Sequence, residues 1–238
     1  MTEKGINHVA FCMDSCRWDT FTLAKTPNFD SFTKYKQVYS HAGFTLPSLL
    51  SLFINVRWYN SQGTKLIPWL GNFIWVPKKL SEEGYYTALI TQNPTLQLYS
   101  HIFSRGFDYY NVTWTGLVWA AHHLINETVE IFEKNEKPKF VFLLFMETHL
   151  PYLYPGVISD IETLMKPQIR SIKHQITSIE HLDKEFGKLI KKLEGTNTEI
   201  TVFSDHGDLD IQIEGEQGHG THLYHNKLFE IPLGRKTI

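Results

Sequence analysis

Apolar positions along the chain fall into short continuous runs that alternate with stretches of helical period. "HVAFCM", "YYTALITQ", "KFVFLLFM" and "EITVFSD" read as strands, with "HVAFCM" near-continuous in apolar character and "KFVFLLFM" the strongest. Runs of that kind predict strands buried on both faces. Between them the period changes. "NFDSFTKY" predicts a short helix, and "TLPSLLSLF" predicts a helix with proline in its first turn. "FIWVPKKLSEEG" predicts a helix closed by Gly84. "WAAHHLINETVEIFEKNEK" is helical, with its lysines and glutamates late on a solvated face. From about Lys166 to Leu193, Ile169, Ile172, Ile176, Ile179, Leu182, Phe186 and Leu189 recur at helical spacing and predict a long amphipathic helix.

Strands alternating with helices predict an α/β fold: a three-layer α/β/α arrangement around a mostly parallel central sheet. No internal repeat, low-complexity tract or Pro/Gly/Ser-rich linker interrupts the 238 residues, so residues 1–238 are expected to form one domain. In open sheets of this kind the ligand site lies beyond the carboxyl ends of the strands. That rule directs attention to the residues at the end of each apolar run.

Composition narrows the classes. With 42% hydrophobic and 20% charged residues the chain can bury a sizeable core. A formal net charge of −2 gives no sign of nucleic-acid or membrane-surface binding. No stretch approaches the roughly 20 apolar residues of a membrane span. The opening "MTEKGINHVAFCMD" has no long apolar run behind a basic start, so no secretory signal is read there and a cytoplasmic location is expected. Cys12 and Cys16 are then expected to be two reduced thiols rather than a metal pair.

The strand ends carry the chemistry. "FCMDSCR" places Asp14 at the end of the first strand, with Arg17 close by; "ETHLPY" places Glu147 and His149 after the third. "FSDHGD" ends the fourth in Asp205 and His206, and "GEQGHGTHLYHNK" adds His219, His222 and His225. Taken singly, an Asp after a strand is usually a turn or helix-cap residue. Several strands ending in ligand-type residues on one edge are a different matter. Asp and His together suit Zn²⁺ or Mn²⁺ better than Ca²⁺, which prefers all-oxygen shells; Mg²⁺ and Ca²⁺ stay open as alternatives. "HAGFTLPSLLSLF" offers a nucleophile. Thr45 stands at a helix start, where free N–H groups and the positive dipole end attract phosphate or sulfate. A hydroxyl there, touching a metal ion, loses its proton more easily.

The order of these motifs resembles the alkaline phosphatase-like superfamily, and within it the sulfatase and phosphoethanolamine-transferase branch. "NHVAFCMDSCRWDTF" resembles the opening strand with its metal-binding aspartate, and "KTPNFDSF" the family's T-P-N-L-D-x-L segment. "FTLPSLLSLF" falls where sulfatases carry C-x-P-S-R-x-x-L-x, which puts Thr45 on the nucleophile. "LSEEGYYTALIT", "GFDYYN", "ETHLPY", "FSDHGD" and "GHGTHLYHNKLFEIPL" resemble later family segments in the right order. The resemblance implies that Asp14, Thr45, Asp205 and His206 hold the main metal, with Thr45 also the nucleophile. It implies that His149 and His219 bind substrate phosphate, hold a second metal or protonate the leaving group. Arg17 and His222 are substrate-contact candidates; His222 and His225 have no counterpart in the pattern. Leu49 replaces the sulfatase arginine, and threonine replaces the cysteine or serine that sulfatases convert to formylglycine. The activity implied is metal-dependent hydrolysis or transfer of phosphate esters, on a small anionic ester substrate. The alternatives are a sulfate-ester hydrolase that works without formylglycine and a non-catalytic anion-binding member.

Overall fold

The structure is a computed structural model that describes residues 5–55, 73–113, 119–155, 171–220 and 223–238. Seven strands form one sheet: β1 (Asn7–Met13), β2 (Lys36–Tyr39), β3 (Tyr86–Thr91), β4 (Tyr109–Val112), β5 (Lys139–Phe145), β6 (Thr198–Ser204) and β7 (Glu230–Thr237). Their order across the sheet is β2-β7-β6-β1-β5-β3-β4. β1 lies at the centre, parallel to both neighbours; Val9 sits between Val141 of β5 and Ile200 of β6. β3 is parallel to β5 and β4, while β7 runs antiparallel to β6 and β2. A parallel neighbour needs a long crossover, and here helices supply it. The carboxyl ends of β1, β3, β5 and β6 therefore share one edge.

The period-2 alternation of the central strands feeds two cores. On β1, Val9, Phe11 and Met13 face one layer while Cys12 faces the other; on β5, Val141, Leu143 and Phe145 oppose Phe142 and Leu144. The first layer is covered by α1 (Trp18–Leu23), α2 (Pro27–Phe32), α7 (Ala121–Lys134) and α8 (Ile172–Leu193). Phe186 of α8 stacks on Phe29 of α2 at 4.5 Å and meets Phe11 edge-on at 5.2 Å. The second layer is built by α3 (Thr45–Ile54), α4 (Val76–Glu82), α5 (Pro94–Leu98) and α6 (Ser100–Phe103), with Leu49, Leu50, Phe53 and Phe103 against Phe142 and Leu144. Burying each such side chain stabilises the fold by about 1.5–3 kcal/mol.

The predicted helices and strands have counterparts among the described residues. Pro47 sits in the first turn of α3, and Gly84, with φ +97°, ends α4 before β3. α8 begins after a capping box formed by Ser171 and His174; Ile169 and the rest of the expected stretch before Ser171 lie outside the described residues. Ile179, Leu182, Phe186 and Leu189 face the core as their spacing requires. Of the aromatics Tyr109, Tyr110, Trp114 and Trp119, Trp119 is buried, the two tyrosines are half-buried on β4, and Trp114 lies outside the described residues.

β2, β4 and β7 had no apolar run to announce them. β2 is an edge strand with most of its residues exposed, and β4 is half-buried throughout. β7 carries Pro232 and Gly234, which the propensity of a strand disfavours. A Cβ on Gly234 would meet the Tyr35 ring at 2.6 Å, so close packing demands the glycine. Cys12 and Cys16 are both free and buried. No described helix is long and apolar enough to cross a membrane.

Candidate metal centre

Asp14, the residue after β1, is placed by the backbone around it. Its N–H donates to Phe145 O at 2.9 Å and its carbonyl accepts from the Thr148 hydroxyl at 2.6 Å. Ser204 ties the neighbouring strand end to the same place: its hydroxyl donates toward Met13 O at 2.6 Å and accepts from Cys16 N at 2.9 Å. Asp205 and His206 follow directly after β6. Asp205 Oδ1 accepts from the backbone N–H groups of Ser15 (3.1 Å) and His206 (2.9 Å). Its Oδ2 is buried with no hydrogen-bond partner.

His206 lies 2.7 Å through Nδ1 from Gly207 O, which puts the proton on Nδ1 and leaves the Nε2 lone pair free. Nε2 stands 3.5 Å from Asp205 Oδ2, 3.6 Å from Asp14 Oδ1 and 3.1 Å from Thr45 Oγ1. The Thr45 hydroxyl is also 3.5 Å from Asp14 Oδ2. Thr45 opens α3 and is buried, so the start of that helix lies beside this cluster. The glycine after His206 is forced: a Cβ on Gly207 would lie 1.9 Å from Lys227 O.

One ligand atom from each of Asp14, Asp205 and His206 falls within 4.8 Å of the others. The electrostatics of this group call for a cation. Burial, then the charge of Asp14, raises Asp205 well above the usual carboxylate range. Burial, followed by the charge of His219, pushes His206 down to about 3, so its ring is neutral. Two buried carboxylates side by side, an orphaned carboxylate oxygen and a free imidazole lone pair fit a divalent ion of the Zn²⁺ or Mn²⁺ kind.

Around this cluster the structure gathers His149 and His219. The His219 ring centre is 4.4 Å from that of His206 and 5.1 Å from that of His149. His219 Nδ1 bonds Asp208 Oδ1 at 3.1 Å. Burial pulls His219 down, but the bond and charge of Asp208 outweigh it and the net shift is upward. His149 Nδ1 is turned to the carbonyl of Leu150.

Arg17 is placed differently from a substrate contact. Its guanidinium meets Asp19 at 2.7 and 2.9 Å, Glu214 at 3.0 and 3.2 Å, and Asp208 O at 3.2 Å. Burial opposes its charge, yet the bonds to Asp19 and Glu214 hold it protonated. It buckles the 208–214 loop to the turn after β1. His222 lies outside the described residues, and His225 is exposed, its Nδ1 accepting from Lys227 N at 3.2 Å. Sequence reasoning passed over Asn93, which donates to Asp14 Oδ2 at 2.6 Å, and gave Asp208 no role. Asn93 follows the strand "YTALIT" as a polar residue before proline, the same strand-end pattern that singled out Asp14 and Asp205.

Comparison with known proteins identifies the fold and the family. The fold is that of the alkaline phosphatase superfamily: a protein of that superfamily from Vibrio parahaemolyticus superposes with a TM-score of 0.66 at 21% identity, over 100% of this chain and 61% of the other. Within that fold the chain belongs to the sulfatase family, whose profile matches residues 7–233. The C-terminal periplasmic domain of EcEptC from Escherichia coli aligns with a TM-score of 0.77 and 18% identity, over 99% of this chain and 73% of that one, and has also been solved in complex with Zn. The lipoteichoic acid synthase LtaP from Listeria monocytogenes aligns with a TM-score of 0.69 and 17% identity, over 98% and 65% of the two chains. Among curated proteins no sequence matches. The cytoplasmic placement expected from the sequence is corrected by these findings, because the E. coli domain is periplasmic. That expectation rested only on the absence of a signal pattern in the opening stretch "MTEKGINHVAFCMD".

Proposed function

We propose that this chain is a metal-dependent hydrolase or transferase of phosphate esters with Thr45 as its nucleophile. The observation that carries the reading is the meeting of Thr45 Oγ1 with His206 Nε2 at 3.1 Å and Asp14 Oδ2 at 3.5 Å, at the start of a helix. Asp14, Asp205 and His206 would hold one divalent ion with the Thr45 hydroxyl. When bound, it lowers the pKa of the hydroxyl and offsets charge on the transferring group. The phosphate would rest against the free N–H groups at the start of α3. Thr45 Oγ1, its proton passed to solvent water, would attack phosphorus in line, forming the phosphothreonine as the bond to the ester oxygen breaks. His219, whose charged form is favoured by the bond to Asp208, would give its proton to the departing alkoxide. Water or an acceptor alcohol would then attack phosphorus, pass its proton back to the neutral His219 and release the Thr45 alkoxide, which completes turnover. His149, beside His219, steadies a non-bridging oxygen.

Several lines support this reading: the sulfatase-family match, similarity to a zinc-binding EptC domain and to a lipoteichoic acid synthase, and a threonine in place of the residue that sulfatases oxidise. The same neighbours favour a site of action outside the cytoplasm. The test is a substrate panel of aryl phosphate, phosphodiester and aryl sulfate with Zn²⁺, Mn²⁺ or Mg²⁺ added. Turnover of phosphate esters by the wild type, abolished in Thr45→Ala with the circular dichroism spectrum unchanged, is expected. A preference for the sulfate ester, or full activity in Thr45→Ala, overturns the reading.

A further inference from the structure

Asn93 closes a gap that no neighbouring strand can close. β3 is separated from β1 by β5, so their axes stand about 10 Å apart at the usual spacing. Asn93, two residues past β3, bridges the end of β5 and donates through Nδ2 to Asp14 Oδ2 at 2.6 Å. Its Oδ1 is engaged too, accepting from Thr95 N at 2.7 Å and Leu96 N at 3.4 Å as the cap of α5. Its own N–H donates to Thr91 Oγ1 at 3.0 Å. The amide therefore has a single satisfied orientation: the helix demands the oxygen and the carboxylate demands the N–H. On the other side, Asp14 Oδ1 accepts from the Ser15 hydroxyl at 2.9 Å. Ser15 on Oδ1 and Asn93 on Oδ2, with the Thr45 hydroxyl farther from Oδ2 at 3.5 Å, fix the plane of the carboxylate and leave Oδ1 turned to His206 Nε2, 3.6 Å away.

We propose that Asn93 is a positioning residue that presents the Asp14 carboxylate to the metal, so that the cap of α5 and the ligand geometry share one side chain. The proposal rests on the metal reading of the Asp14, Asp205 and His206 cluster. The residue type suits the task. A Lys or Arg at this point would cancel the Asp14 charge and repel a cation. Ser or Thr caps a helix equally well but is too short to span the end of β5. An amide supplies the reach, the donor and the acceptor while leaving the full carboxylate charge for the ion. Groups that orient a metal ligand commonly contribute tenfold to a hundredfold in affinity.

The experiment titrates Zn²⁺, and separately Mn²⁺, into metal-free protein by calorimetry, beside thermal unfolding of the same samples. Asn93→Ser keeps a capping oxygen and loses the donor. It is expected to fold, with its metal affinity lowered about tenfold to a hundredfold. Gln97→Gly, on the exposed side of α5, loosens the helix and leaves the amide; its metal affinity is expected to match the wild type. Unchanged affinity in Asn93→Ser overturns the proposal, and so does an equal loss in Gln97→Gly, since α5 rather than the amide would then set the site. If Asn93→Ser does not fold, Asn93→Thr carries the same cap and the same lost reach and is read the same way. A wild type that takes up neither ion overturns the metal reading and this one with it. A metal-binding wild type with an unaffected Asn93→Ser overturns only the role of Asn93.

Discussion

Glu147 should make the stability of this protein depend on pH between the usual carboxylate range and neutrality. The residue sits just past β5 and is fully buried. Its Oε1 accepts from Ala121 N at 2.6 Å, at the start of α7, while Oε2 has no partner. Burial raises it to about 7 from an ordinary 4.5, with the charge of Glu185 adding to the rise and the backbone N–H groups opposing it. Linkage gives the sign. Between those two values the unfolded chain has lost the proton that the folded protein keeps, so the contribution is fully present below pH 4.5 and is lost as pH rises to 7. A shift of this size amounts to about 3 kcal/mol. Gln at this position keeps the acceptor for Ala121 and never ionises. Urea unfolding of wild type and Glu147→Gln across pH 4.5–8, in chelator so that metal release does not enter, isolates the effect. Glu147→Gln is expected to gain about 3 kcal/mol on the wild type between pH 4.5 and 7, and the difference to level off above 7. Stability curves that stay parallel through that window refute the reasoning.

Other outcomes rest on the same physics. Asp205→Asn removes one of two buried neighbouring carboxylates, so the metal-free protein should melt at a higher temperature while the stabilisation on adding Zn²⁺ disappears; scanning calorimetry with and without the ion reads both. Phe186→Ala empties the stack with Phe29 and Phe11 and should cost about 3–5 kcal/mol in urea unfolding. Gly207→Ala forces a Cβ into Lys227 O and should abolish metal binding, since the loop carrying Asp205 and His206 must shift; retained affinity in a calorimetric titration would contradict the tight fit. In Asp208→Asn the His219 ring loses the partner that raises it, so its titration followed by NMR should move to lower pH.

The layered fold was legible because buried strands and amphipathic helices write their period into residue order. β1 and β5 read as apolar runs since both of their faces meet a core, and α8 as an isoleucine and leucine stripe since one of its faces does. Asp14, Asp205 and His206 were legible one by one as polar side chains placed where an apolar run stops, and Thr45 as a hydroxyl at a helix start. Compartment was misread because it was read from the opening residues alone, whereas the similar E. coli domain is periplasmic.

Residue order left open which strand ends touch. Asp14 and Asp205 share a cluster because β1 and β6 are neighbours in the sheet, and Asn93 joins them across the end of β5 although nothing in its local pattern names Asp14 as its partner. Arg17, a substrate-contact candidate in the sequence, is in the structure the buried partner of Asp19 and Glu214. Periodicity is a local property, set by the geometry of one helix or strand. Contact between side chains far apart in the chain is set by strand order and by the paths of the crossovers, and only the packed molecule contains those.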